Sequence, residues 1–107
     1  MIYITVKKKL KPGTADAYLE AARPFLEATR AEPGNKWFEH YRSVEDPDTV
    51  LTIEAFDDAA AGEAHVASEH FQALLEDDPS KQYVAERPDI LYVDIPDRDG
   101  WDTMSEF

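Results

Sequence analysis

Four stretches of alternating apolar and polar residues, separated by two stretches of helical period, leave this chain very few folds to choose from. The first runs from Ile2 to Lys8, with Ile2, Ile4 and Val6 on one face and Tyr3, Thr5 and Lys7 on the other. Lys11-Pro12-Gly13 closes it as a turn, and Thr14 is placed to cap a helix. There Ala15, Tyr18, Ala22, Phe25 and Thr29 recur at helical steps, while Asp16, Glu20, Arg23, Glu27 and Arg30 hold the opposite side. Glu20 with Arg23, and Glu27 with Arg30, are one-turn neighbours of opposite sign. Pro24 removes one backbone donor and predicts a bend, and Glu32-Pro33-Gly34 ends the helix.

Lys36 to Ser43 and Val50 to Phe56 read as two more strands, joined so briefly by Glu45-Asp46-Pro47-Asp48 that they form an antiparallel hairpin. A second helical region opens at Asp57-Asp58, with Ala64, Ala67, Phe71 and Leu74 as its apolar stripe and Ser68 as a candidate break. Asp77-Asp78-Pro79 stops it, and Ile90 to Ile95 is the fourth strand. The order is β-α-β-β-α-β, an α+β split βαβ arrangement with a four-stranded antiparallel sheet and helices on one face. Residues 1–96 are expected to form this domain and residues 97–107 a polar tail, in which Trp101, Met104 and Phe107 are candidates for a short docking turn. Two helices cover only one face of such a sheet. The other face must carry either Trp37 and Tyr41 or Phe38, too apolar a surface to leave in water. A homodimer pairing sheet against sheet is the expected solution.

Charge narrows the partners. Eleven Lys and Arg against 23 Asp and Glu give a formal net charge of −12, which argues against nucleic acid and against anionic membranes. Lys7-Lys8-Lys9 with Lys11, the one basic cluster, reads as a solvated strand end. There is no cysteine, so no disulfide, thiolate site or thiol nucleophile. No apolar run approaches the roughly 18 residues of a membrane span, and the first residues alternate as a strand does rather than as a signal peptide does. A cytoplasmic location is expected.

His40, His65 and His70 are the only imidazoles. On a continuous helix His65 and His70 would stand about 140° apart, so no metal site is expected, and His70 reads as a capping or packing residue. His65 flanks the apolar stripe beside Ala61 and Ser68 and can edge into the space between helix and sheet. Its chemistry suits proton transfer, though a structural hydrogen-bonded role explains it equally well. Glu39 and Glu54 lie mid-strand, where charge is disfavoured, and are expected on one face with Trp37, Tyr41 and Phe56. A carboxylate among aromatic rings would have a raised pKa; pairing with Arg42, Arg87 or a partner's lysine is the alternative. Trp37, Tyr41, Phe56, Phe71 and Glu54 are the candidate lining for a flat ring, though aromatic strand residues are more often plain core. The four glycines form no nucleotide fingerprint.

Lys11-Pro12-Gly13, Ala28-Thr29-Arg30-Ala31-Glu32-Pro33-Gly34, Tyr41-Arg42-Ser43-Val44-Glu45-Asp46-Pro47 and His65-Val66-Ala67-Ser68-Glu69-His70-Phe71 together resemble antibiotic biosynthesis monooxygenase domains, including the quinol monooxygenase type. The likeness covers residues 1 to about 95. It implies a ferredoxin-like fold, a dimeric α+β barrel with one pocket per subunit, and cofactor-independent monooxygenation of a phenolic or quinol substrate by dioxygen. It matches His65 as the catalytic position. The family also holds other activities, so a non-catalytic ligand-binding or stress-response dimer and an isomerase of a small phosphorylated metabolite stay open; the isomerase would need Arg42 or Arg87 pointing inward. Phe56, Gly62 and Asn35 depart from the common Trp, Leu and Cys. Val6, His65 and Leu74 replace the Asn, Trp and His of haem-degrading relatives, which argues against haem degradation.

Overall fold

The alternating segments become β1 (Ile2–Lys9), β2 (Asn35–Arg42), β3 (Thr49–Phe56) and β4 (Asp89–Asp94) of one antiparallel sheet, ordered β2-β3-β1-β4. This computed structural model describes residues 1–107. The helical stretches become α1 (Ala15–Arg30), α2 (Ala59–Ala67) and α3 (Glu69–Asp77). The fold is α+β and ferredoxin-like. No helix is long and apolar enough to cross a membrane.

α1 follows its sequence pattern closely. Ala15, Tyr18, Ala22 and Thr29 are buried and Phe25 is partly so. Ala15, Tyr18 and Ala22 pack with Leu10 and Val50, while Ile2, Ile4 and Phe56 form a second cluster. Two local expectations fail. The Thr14 hydroxyl makes no cap, because it donates to the Lys11 carbonyl at 2.7 Å. Arg30 does not pair with Glu27; its Nε donates to the Phe38 carbonyl at 2.8 Å and ties α1 to β2.

Residues opposite one another across the ladders share a face, and this sorts the sheet. Ile2, Ile4, Val6 and Lys8 stand beside Phe56, Glu54, Thr52 and Val50, with Phe38 and His40 alongside Glu54 and Thr52. This is the face under the helices. Trp37, Glu39 and Tyr41 pair with Ala55, Ile53 and Leu51 and therefore point the other way. The expectation that Glu39, Trp37 and Tyr41 share a face with Glu54 and Phe56 is corrected here. The hairpin sets Arg42 against Val50, and in a period-two element a one-residue difference in register exchanges the faces. Lys8 is corrected too: it continues the inward parity of β1 instead of ending in solvent.

The second helical region does break at Ser68. Its extended backbone (φ −66°, ψ 154°) ends α2, while its Oγ donates to the His65 carbonyl (2.6 Å) and accepts from the Phe71 amide (3.2 Å), capping α3. The break resets the helical phase. Ala64 and Ala67 of the expected stripe are exposed, and the one buried residue of α2 is His65. Beyond α3 lies an unanticipated 3₁₀ turn, Pro79–Tyr83, capped by Asp78, whose carboxylate accepts from the Ser80 amide at 2.8 Å. After β4 the chain returns to the sheet's uncovered face. Ile95 and Met1 exchange backbone hydrogen bonds, and the Trp101 ring lies 5.4 Å from that of Trp37. Met104 and Phe107 remain exposed.

Candidate functional site

A polar cluster sits beneath the helices where a fold of this size would ordinarily place only apolar side chains. Glu32, in the loop leaving α1, turns one carboxylate oxygen between two imidazoles. Its Oε2 lies 2.7 Å from His65 Nδ1 and 2.6 Å from His70 Nε2. An ionised carboxylate can only accept, so the proton of His65 belongs on Nδ1 and that of His70 on Nε2. The remaining nitrogen of His65, Nε2, then presents its lone pair towards Glu54, 3.9 Å from Oε1 and too far for a hydrogen bond. His65 is only 3% exposed. Phe56, Phe71 and Phe25 wall it, with ring centroids at 4.9, 5.1 and 5.8 Å.

Glu54 carries the clearest mark of this surrounding. Burial pushes its carboxyl up to about 7, with Lys8 opposing and Glu32 adding to the rise. Further along the same face Lys8 Nζ donates to Thr52 Oγ1 at 3.1 Å, and Thr52 Oγ1 lies 2.8 Å from His40 Nδ1. Burial pulls Lys8 down to about 8 despite the nearby Glu54 charge. It also pulls His40 down to about 4, helped by the Lys8 and Arg30 charges. His40 is therefore neutral at pH 7, and its buried Nε2 has no partner. Lys8 also lines a cavity of about 410 Å³ with Tyr18, Leu74, Val84 and Arg87. That volume lies within the range of small-molecule sites.

The model of the family described as antibiotic biosynthesis monooxygenase matches residues 1–77, more than half of the chain. The chain belongs to the antibiotic biosynthesis monooxygenase family. Among curated proteins it is similar to "Putative monooxygenase YcnE" of Bacillus subtilis (strain 168), 29% identical over 75 residues, which cover 70% of this chain and 79% of that protein. A crystal structure described as an antibiotic biosynthesis monooxygenase matches with a TM-score of 0.75 at 26% identity, over 89% of this chain and 98% of the other. Rv0793 from Mycobacterium tuberculosis shares the fold, with a TM-score of 0.78 at 15% identity over 92% and 98% of the two chains.

Within this family member the six residues singled out from sequence divide into two groups. His65, Glu54, Phe56 and Phe71 come together under the helices. Trp37 and Tyr41 lie on the opposite face, where Trp37 meets Tyr3 and Trp101 and the Tyr41 hydroxyl donates to Glu39 at 2.6 Å. They cannot join the His65 cluster within one chain. Arg42 is exposed and paired with Asp16 at 2.9 Å, whereas Arg87 does reach the cavity. Sequence reasoning missed Glu32, His70 and Lys8. For Lys8 the signal was present, since the parity of Ile2, Ile4 and Val6 continues to it. The broken helix overturns the 140° separation expected for His65 and His70: their ring centroids are 6.0 Å apart.

Proposed function

We propose that this chain is a cofactor-independent oxygenase of a phenolic or quinol ring, working as a homodimer, with His65 as the proton acceptor. One observation carries the reading: Glu32 holds the Nδ1 proton of a buried imidazole walled by phenyl rings, so that Nε2 is the basic atom and faces inward towards Glu54. A carboxylate on the far nitrogen fixes the tautomer and orientation of an imidazole base, which suits it to proton abstraction. Removing a phenolic proton makes the substrate electron-rich enough to reduce dioxygen directly. A hydroquinone and one dioxygen would give the hydroxyquinone and one water: the ring loses four electrons, one oxygen atom enters it, and the other leaves as water. The dimer is supported by the uncovered sheet face, where Tyr41, Leu91 and Val93 are exposed and no helix lies.

The test is oxygen uptake by metal-stripped protein with a panel of hydroquinones, using ¹⁸O₂ to separate insertion into product from autoxidation to peroxide. His65→Ala should lower turnover by roughly two to four orders of magnitude, the usual contribution of a positioned acid or base. Wild-type rates in the variant would remove His65 from the mechanism. Inactivity across the panel would overturn the oxygenase reading. A second reading has one observation in its favour: Lys8, Lys81 and Arg87 all line the 410 Å³ cavity, a cationic set suited to a phosphorylated metabolite. Protection of those residues from chemical labelling by a sugar phosphate, and not by a phenol, would favour it.

A further inference from the structure

We infer that Glu32, His65 and His70 form a binding site for a first-row divalent metal ion of the zinc class, with two imidazole nitrogens and one carboxylate as ligands. The three candidate ligand atoms all lie within 4.8 Å of one another. They come from three different elements: the loop after α1, the last turn of α2 and the first turn of α3. What brings the imidazoles together is the extended residue Ser68.

The hydrogen bonds describe the coordination geometry in advance. Both ring N–H groups are aimed at one point, Glu32 Oε2, at 2.7 and 2.6 Å. A metal replacing those two protons would meet each nitrogen along the same in-plane direction. Metal–ligand bonds of about 2.0–2.1 Å put adjacent ligand atoms roughly 3.0–3.4 Å apart. An ion at that point takes the place of Oε2, so the carboxylate must swing back by about 2 Å and the two imidazoles close in by about 0.6 Å each; its second oxygen, Oε1, makes no hydrogen bond within the protein. Each imidazole stays neutral by moving its proton to the other nitrogen. For His65 that nitrogen is Nε2, which faces Glu54 at 3.9 Å, and a carboxylate behind a ligating imidazole is the usual outer partner of a metal-bound histidine. The His70 side chain is 23% exposed and that of Glu32 is 14% exposed, so the site opens on one side, where the ion can enter and water can complete the shell. Nitrogen donors with one carboxylate select zinc, cobalt or nickel over magnesium and calcium. The same displacement takes the lone pair from His65 Nε2, so an occupied site would have no proton acceptor there.

The experiment uses the intact, untagged, metal-stripped protein and needs no substrate, so its outcome is separate from that of the oxygenase assay. Zn²⁺ and Co²⁺ are titrated in excess magnesium, which occupies non-specific sites on this acidic surface. One ion should bind per chain, Co²⁺ should develop visible ligand-field bands, and ¹⁵N shifts of the His65 and His70 rings should move on Zn²⁺ addition while those of His40 do not. His70→Ala and Glu32→Gln should each weaken binding at least as much as loss of an outer partner of a metal ligand does, about 10–100-fold. The NMR arm uses the wild-type chain and stands even where a variant fails to fold. Absence of a stoichiometric site, undiminished affinity in both folded variants, or unshifted His65 and His70 rings would each overturn the assignment.

Discussion

Replacing Glu54 by Gln should remove a loss of stability that sets in as pH rises, and the size of the effect can be worked from the structure. Glu54 is 6% exposed, and burial raises its carboxyl from the ordinary 4.5 to about 7. The folded chain therefore holds this proton more tightly than the unfolded chain does. Its favourable contribution is fully present below pH 4.5 and is lost as pH rises through 7. At about 1.36 kcal/mol for each pH unit between the two values, ionised Glu54 disfavours the fold by about 3 kcal/mol, and about 2.5 kcal/mol of that loss falls between pH 5 and pH 8. Gln has nearly the same shape and cannot ionise. The stability of Glu54→Gln minus that of wild type should then increase by about 2.5 kcal/mol from pH 5 to pH 8, read from urea denaturation at one fixed protein concentration. Using the difference cancels the other carboxylates and any dimer contribution common to both proteins. A difference constant to within about 0.5 kcal/mol would show that Glu54 titrates as an exposed carboxyl does, and the account of its surroundings would be wrong.

Two further predictions concern surfaces and close approaches. Light scattering of the wild-type protein should give about 24 kDa, twice the 12.1 kDa chain, and Leu91→Glu on the uncovered face should yield monomer or unfold it; a wild-type monomer at micromolar concentration would refute the dimer. Gly34→Ala should destabilise by about 1–3 kcal/mol, because a Cβ there would lie 2.4 Å from the Cβ of Ala61. The double variant Gly34→Ala with Ala61→Gly should recover much of that loss, and strict additivity in urea denaturation would show that the contact is not the cause.

The order of elements was legible because periodicity is a local property. Four alternating runs and two helical ones appear in the sequence before any contact is known, and the hairpin is forced by a connection too short for anything else. Which face each alternating residue takes was less legible. Trp37 and Phe38 are neighbours, so β2 has an aromatic residue for either face. The choice depends on the pairing of Arg42 with Val50 across the turn. Alternation defines two faces without saying which one the helices cover, and Trp37, Glu39 and Tyr41 accordingly fell on the wrong one.

The site was legible only where it violated the pattern that built the fold. A strand face under two helices should be apolar, yet Lys8, Thr52 and Glu54 all occupy it, and His65 is the sole buried residue of α2. Each breaks a local rule, and such conflicts concentrate where side chains serve something other than stability. Glu54 and His65 could be suspected on that ground from sequence, and by the same reasoning Lys8 could have been. Glu32 could not: an acidic residue in the Glu32-Pro33-Gly34 turn looks like any solvated loop carboxylate. Its place between two imidazoles depends on the angle between α2 and α3, which Ser68 sets by leaving the helical conformation for one residue. Ser68 itself was visible as a breaker, but the direction of a break is a tertiary quantity. Three residues separated by up to 38 positions meet because one serine caps the second of two short helices and bonds back to the first.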